Sequence, residues 1–208
     1  LVVPEHKKYV PIPSKWGTMA YFDVAKKSEL SAANAKQLSK FCEQIGIPVI
    51  WSVTDSVAAE FVKEHCAAQV VKLHFDSVDA FELSNFCASN FKQVIYCHTH
   101  LEHALRLHKK RFIEYKIYYT TQEFPPEVQN LQLHNLDKLV QLNYNVGYES
   151  REAGIFPALA TVYKGIKYIE KYLGDDDSDN ASVLTPAQFY DLFNSMQLLE
   201  HAHHNQTQ

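Results

Sequence analysis

Short apolar runs rich in β-branched and aromatic residues recur along the chain, at residues 47–53, 70–75, 93–97, 113–121, 143–148 and 165–169. Most lie about 20–28 residues apart, the length of one strand followed by one helix. Between them the apolar positions switch to a helical period. Ala35, Leu38, Phe41, Cys42 and Ile45 mark a helix over 31–45 that stops at Gly46. Val57, Phe61 and Val62 do the same over 56–66, and Leu83, Phe86 and Cys87 over 79–89. Residues 131–142 and 157–164 continue the series. Leu184-Thr185-Pro186 opens a last helix reaching Leu199, its proline suited to a first turn. Residues 1–17, with Pro4, Pro11, Pro13 and Gly17, read as an irregular lead-in, and 200–208 as a polar, fraying tail.

Near-continuous apolar strands alternating with helices predict a parallel sheet covered on its faces. Six or so such units over residues 18–199 predict an α/β fold of the TIM (β/α)8 barrel type. A closed barrel usually takes about 250 residues, so the expectation is a barrel lacking its first strands.

Composition removes several classes of function. Among the 208 residues, 20 Lys and Arg oppose 24 Asp and Glu, a net charge of -4. No broad positive field exists for a phosphate backbone, so nucleic acid is not the expected partner. No apolar run nears about 18 residues, so no membrane span is expected. The opening LVVPEHKKYV shows no charged and then apolar leader. Cys42, Cys66, Cys87 and Cys97 form no CxxC pair and read as reduced thiols rather than a disulfide framework or zinc site.

In parallel βα architectures the reacting groups sit at strand C-termini and in the loops that follow. That rule selects Ser52, Thr54 and Asp55; Lys72, His74 and Asp76; His98 and His100; Tyr119, Thr121 and Glu123; Glu149 and Arg151; Glu170 and Lys171. Lys72 stands out inside the apolar Val70-Val71-Lys72-Leu73. It either points into the mouth, offering a cation to an anionic substrate, or snorkels at a strand edge. His98 and His100 share one face of an extended strand, and His103 opens the next helix; the two are weak candidates for a metal, or are loop histidines bonded to neighbours. Arg151 offers a bidentate clamp for a carboxylate or phosphate, or joins Glu149 and Glu152 in a surface ion-pair cluster. Trp16, Tyr21, Tyr118, Tyr119 and Phe124 could wall a sugar site, although aromatics in such folds are mostly core.

The order of these segments resembles the sialic acid synthase (NeuB) family. The likeness rests on Trp16-Gly17-Thr18-Met19 with Lys26-Lys27-Ser28-Glu29-Leu30, on Gly46 through Ser52 and Asp55, and on Lys72-Leu73. It continues in Thr121-Gln122-Glu123-Phe124-Pro125, Val146-Gly147-Tyr148, Gly165 through Ile169-Glu170-Lys171, and Asp179 with Leu184-Thr185-Pro186. It covers residues 15–199 in the family's order. The resemblance implies a TIM barrel that condenses phosphoenolpyruvate with an N-acyl sugar aldehyde to form a nonulosonic acid. It implies a divalent metal, manganese or magnesium, and a lysine gripping phosphoenolpyruvate that falls on Lys72. It also implies a cytoplasmic protein and makes a homodimer one candidate assembly. Ser52, Thr121 and Arg151 are then substrate-binding, with Glu170 catalytic.

The chain departs from the family at the mouth. The two metal-holding histidines fall on Tyr119 and Arg151. Phe75 and Ser77 replace a serine and an acidic residue, Cys97-His98-Thr99 replaces Ser-Thr-Gly, and Tyr172 replaces a histidine. Three readings follow: a condensing enzyme with changed substrate, a catalytically inactive member binding an anionic sugar or a partner protein, and a metallohydrolase built on His98 and His100. The expected ligand is an anionic small molecule, phosphoenolpyruvate or a sugar acid.

Overall fold

The computed structural model describes residues 9–12, 14, 16–74, 81–100, 114–142, 144–175 and 180–204. Pro4, Pro13, Phe75, Asp76, Ser77, His103 and Asp179 lie outside these residues. The chain forms two compact units, Leu1–Lys92 and Gln93–Gln208.

The first unit opens with a small antiparallel pair, β1 (Pro11–Ile12) and β2 (Met19–Ala20), followed by helix α1 (Tyr21–Ser28). The lead-in is therefore not wholly irregular. Helix α2 (Ala32–Gln44) starts where the Ser31 side chain accepts the Asn34 N–H, and α3 (Ser56–His65) where Asp55 accepts that of Ala58. Each cap satisfies a backbone donor that the first turn leaves without a partner. Strands β3 (Ile50–Val53) and β4 (Val70–Leu73) pair in parallel, with Ser52 opposite Lys72. Helix α4 (Phe81–Asn90) buries Leu83, Ser84 and Cys87.

In the second unit β5 (Gln93–His98), β6 (Glu114–Tyr119), β7 (Val146–Ser150), β8 (Tyr168–Leu173) and β9 (Val183–Leu184) pair in parallel in chain order. Helices α5 (His134–Gln141), α6 (Phe156–Tyr163) and α7 (Pro186–His204) separate or follow them. Sequential parallel strands with a helix between neighbours are the repeating unit of a (β/α)8-type barrel. Helix α7 begins with a reciprocal cap, in which Gln188 N–H donates to Thr185 Oγ1 and Thr185 N–H to Gln188 Oε1. It runs to His204, so the part of the tail expected to fray is helical as far as that residue.

Strand alternation divides the second unit's side chains into two sets. Ile117, Tyr119, Val146 and Tyr148 pack on Leu136 and Leu139 of α5 with Ile166, forming the core between sheet and helices. The other set, Cys97, Lys116, Tyr118, Gly147, Glu149, Tyr168 and Glu170, lies on the face turned away from those helices. It is held in register by the pairs Cys97↔Tyr118, Tyr118↔Gly147 and Glu149↔Glu170. The Tyr118 ring occupies the space a side chain at position 147 would need, so glycine there is a packing requirement. Gly147→Ala should destabilise the fold by roughly 1–3 kcal/mol, read by chemical denaturation. Adding Tyr118→Ala should return part of that loss, whereas an unchanged midpoint for the single variant would contradict the close approach.

Candidate active site

A parallel strand can turn polar near its C-terminal end, where its side chains reach the loops instead of the sheet centre. Strand β7 does so, and Glu149 is the centre of the result. It is 2% exposed, and its strand neighbours face the other way. The Cys97 thiol donates to its Oε2 at 2.8 Å, and Arg151 Nε lies 3.4 Å from its Oε1. The Thr120 hydroxyl donates to its carbonyl at 3.0 Å. Burying a carboxylate is costly unless it is paired and hydrogen-bonded, and this one is both.

Arg151 ties the β6 and β7 loops together. Its Nη1 donates to the carbonyl of Thr121 at 3.0 Å and of Gln122 at 3.4 Å, and its guanidinium stacks over Phe124, 5.3 Å from the ring centroid. Phe124 in turn packs on Tyr172, centroids 5.0 Å apart. Glu170 sits opposite Glu149 in the register, so two carboxylates share this face. The expected Arg151–Glu149 pairing occurs, but buried rather than in a surface cluster, and Glu152 is bonded elsewhere.

Lys72 is 4% exposed on β4 beside Ser52, itself exposed, so the amine is inside the protein and not at a solvated edge. Thr121 is half-buried just beyond β6. His98 is 2% exposed and ends β5. By alternation it faces opposite to Cys97. His100 lies two residues further on in a bend and is exposed. Among the described residues neither histidine belongs to a set of three potential ligands. Asp55 is spent as a helix cap. Beside the ends of β5 and β6 a cavity of about 360 Å³ is lined by Thr99, His100, Thr121, Glu123, Asn130 and Gln132, among others.

The helix side of β7 and β8 holds a second buried network. Glu152 is fully buried; it accepts from Tyr148 OH at 2.9 Å and Ser150 Oγ at 2.6 Å. Lys171 Nζ donates to Ser150 Oγ at 3.0 Å and to the Glu152 carbonyl. Burial pushes the Lys171 amine below its ordinary value, with Glu152 opposing. Burial pushes the Tyr148 phenol far up, and the negative charge and hydrogen bond of Glu152 add to that. Lys171, a strand-end candidate, is thus a bracing residue of the core.

The two positions where the resemblance implies metal-holding histidines do not suit that role. Tyr119 faces the helices, and its hydroxyl accepts the Asn135 amide at 3.2 Å. Burial raises its phenol above the ordinary value, against the lowering effect of that hydrogen bond, so it stays neutral. Arg151 has no lone pair to give. Within the second unit, Cys97 and Glu149 are the adjacent donor pair, a thiol and a carboxylate. That mixed set differs from the oxygen-rich coordination that manganese and magnesium prefer.

Sequence reasoning missed Cys97 as a partner of Glu149 and missed the Tyr148–Glu152–Lys171 network. Both were available from parity: counting alternate positions back from Glu149 and across to Cys97 puts them on one face. The strand was expected to end at residue 148, which left Glu149 in a loop and hid that signal.

The sequence matches the NeuB family over residues 1–208. It is 23% identical over 210 residues to human N-acetylneuraminate-9-phosphate synthase, covering 92% of this chain and 56% of that protein. The fold resembles spore coat polysaccharide biosynthesis protein E from Chromobacterium violaceum, with a TM-score of 0.78 and 18% identity over 86% of this chain and 56% of that one. It also resembles N-acetylneuraminic acid synthetase from Leptospira borgpetersenii, solved with citrate, with a TM-score of 0.77 and 18% identity over 86% of this chain and 66% of that one. The chain thus spans about half the length of the curated relative it matches. These likenesses carry the fold, an incomplete (β/α)8-type barrel.

Two outcomes follow from the buried networks. Arg151→Met should cost about 2–4 kcal/mol, because the Glu149 carboxylate loses its adjacent cation, and Glu149→Gln in the same chain should recover part of it. Equal losses in the single and double variants, by denaturant titration, would contradict the pairing. Stability should fall as pH rises above 10.0, the ordinary tyrosine value, because burial raises the Tyr119, Tyr144 and Tyr148 phenols, which hold their protons more tightly in the fold than once unfolded. Lys171 acts in the opposite sense, adding stability with pH only up to 10.5. Tyr148→Phe should make the alkaline decline shallower in denaturation curves taken between about pH 9 and pH 11.

Proposed function

The chain belongs to the NeuB family, and from that membership we propose that it is a sialic acid synthase-like protein acting on phosphoenolpyruvate and an N-acyl sugar aldehyde. The observation that carries the reading is Lys72, an ammonium-bearing side chain 4% exposed on a parallel strand, at the family position that grips phosphoenolpyruvate. A cation kept from water attracts an anion more strongly than one at the surface. Arg151, in the second unit, carries a cation whose planar fork suits a carboxylate or phosphate.

In the proposed reaction, C3 of phosphoenolpyruvate bonds to the aldehyde carbon, and the aldehyde oxygen takes a proton. Water adds at C2, its proton passing to a carboxylate, and phosphate leaves as the C2–O bond breaks. The product is a nonulosonic acid. Glu170 is the carboxylate assigned to the proton transfer, and the Ser52 and Thr121 hydroxyls are assigned to substrate contacts. Family members are generally metal-dependent, but the residues at the two family metal positions here do not fit a metal, and no step is routed through one. The reading belongs to a cytoplasmic protein, with a homodimer as the assembly the resemblance suggests. Among the described residues no helix is long and apolar enough to cross a membrane.

A second reading, a catalytically inactive member that binds an anionic sugar, is favoured by Tyr119 and Arg151 standing where the metal histidines would be. A phosphate-release assay with phosphoenolpyruvate and N-acetylmannosamine or a related sugar decides between them. The condensing reading expects release, and a loss of about 100-fold in kcat/KM for Lys72→Met, roughly the 3 kcal/mol of a charge-assisted contact, with the melting temperature as a folding control. Thermal stabilisation by phosphoenolpyruvate without release from any N-acyl sugar aldehyde would replace it with the second reading.

A further inference from the structure

We propose that a cavity of about 520 Å³ in the first unit is a binding site for an aryl carboxylate. It lies where the chain enters β3 and β4, between residues 46–49, residues 65–70 and helix α2. That is the N-terminal end of the two strands, whereas the reaction proposed above belongs to the opposite end, and nothing in the new site depends on that reaction. The volume falls within the range of about 300–1,000 Å³ usual for small-ligand sites. Ile47, Pro48, Val49, Ala68 and Val70 give the cavity an apolar surface, and Trp51 adds an indole ring. An apolar body of aromatic size is the kind of group such a surface takes from water.

Helix α2 contributes Lys36, Ser39, Lys40 and Glu43 to the lining. Their spacing of three, four and seven residues puts them on one face of the helix. A helix that only packed against a sheet would turn an apolar face inward; this one turns a polar face to an apolar cavity. Two ammonium groups stand against one carboxylate, so the balance of charge favours an anion. Among the described residues neither lysine has a protein partner. Two further groups in the lining are shut off from solvent without a hydrogen bond, the Trp51 indole Nε1 and the Ser39 hydroxyl. A buried donor with no acceptor costs stability, and native folds keep few of them. A bound carboxylate has acceptor capacity for both donors, since each of its oxygens offers two lone pairs. One ligand therefore meets all three features: its ring covers the apolar surface, its oxygens accept from Trp51 and Ser39, and its charge faces Lys36 and Lys40.

Calorimetric titration of the whole chain with 2-naphthoate tests the site, alongside its neutral counterpart naphthalen-2-ylmethanol. The acid should bind at least ten-fold more tightly than the alcohol. Trp51→Phe keeps a ring but loses the indole N–H, and should weaken 2-naphthoate about ten-fold, the effect of one lost hydrogen bond. Ser39→Ala should weaken it by a similar factor without lowering the melting temperature of the free chain, because its hydroxyl has no partner to lose. Replacing both lysines, Lys36→Gln with Lys40→Gln, should weaken binding several-fold and remove most of its salt dependence. Excess phosphoenolpyruvate should not displace the naphthoate. Equal affinity for acid and alcohol, unchanged affinity in the Trp51 and Ser39 variants, or no binding by the wild-type chain would overturn the proposal. So would displacement by phosphoenolpyruvate, which would put the acid at the strands' other end, or a dimer in sedimentation that the lysine replacements break while naphthoate fails to bind, which would give the cavity to a second copy. Failure of the condensing reading shows separately, as absence of phosphate release while 2-naphthoate still responds to these variants.

Discussion

A carboxylate withdrawn from water must be answered on every side, and that constraint organises the polar end of this fold. Glu149 meets it with a thiol from β5 and a guanidinium from the loop after β7, while its backbone carbonyl accepts a hydroxyl from the loop after β6. Each partner comes from a different segment. Satisfying this one residue, carboxylate and carbonyl together, therefore fixes the relative positions of three strand ends, which is where a parallel βα fold keeps its chemistry. Arg151 extends the effect, since it also holds two backbone carbonyls and an aromatic ring.

The same constraint explains why the mouth is electrostatically unlike the family pattern. A metal held by two neutral histidines adds positive charge that is removable. A guanidinium adds one that is covalent and always present. With arginine at one metal position and a neutral, buried phenol at the other, the positive charge near Glu149 is part of the chain. Such a site remains suited to holding an anion, but it lacks a Lewis acid at those positions to polarise an aldehyde.

Much of the fold was legible in the sequence. The alternation of apolar runs with helical stretches follows from period alone, and Ser31 and Thr185 stand at helix starts where their side chains accept hydrogen bonds, whereas Asp55, read as a strand-end candidate, caps a helix instead. Lys72 was legible because a lysine inside Val-Val-Lys-Leu has few places to go. The site was less legible for a physical reason. Whether Glu149 belongs to a strand or a loop depends on a ladder hydrogen bond and not on its own propensity, and a shift in strand end changes which neighbours it has. Gly147 shows the same limit: its need for no side chain arises from the Tyr118 ring on another strand. Lys171, the neighbour of Glu170, turned out to brace the core because the two face opposite ways along β8.

In the proposed function, side-chain cations of this chain rather than a bound metal hold the anionic ligand. Calorimetric titration of the chain with phosphoenolpyruvate in a metal chelator, repeated at rising salt, tests it most directly. The account predicts the same affinity with and without chelator, and a progressive weakening with ionic strength. Binding that vanishes in chelator and returns on adding manganese or magnesium would contradict it.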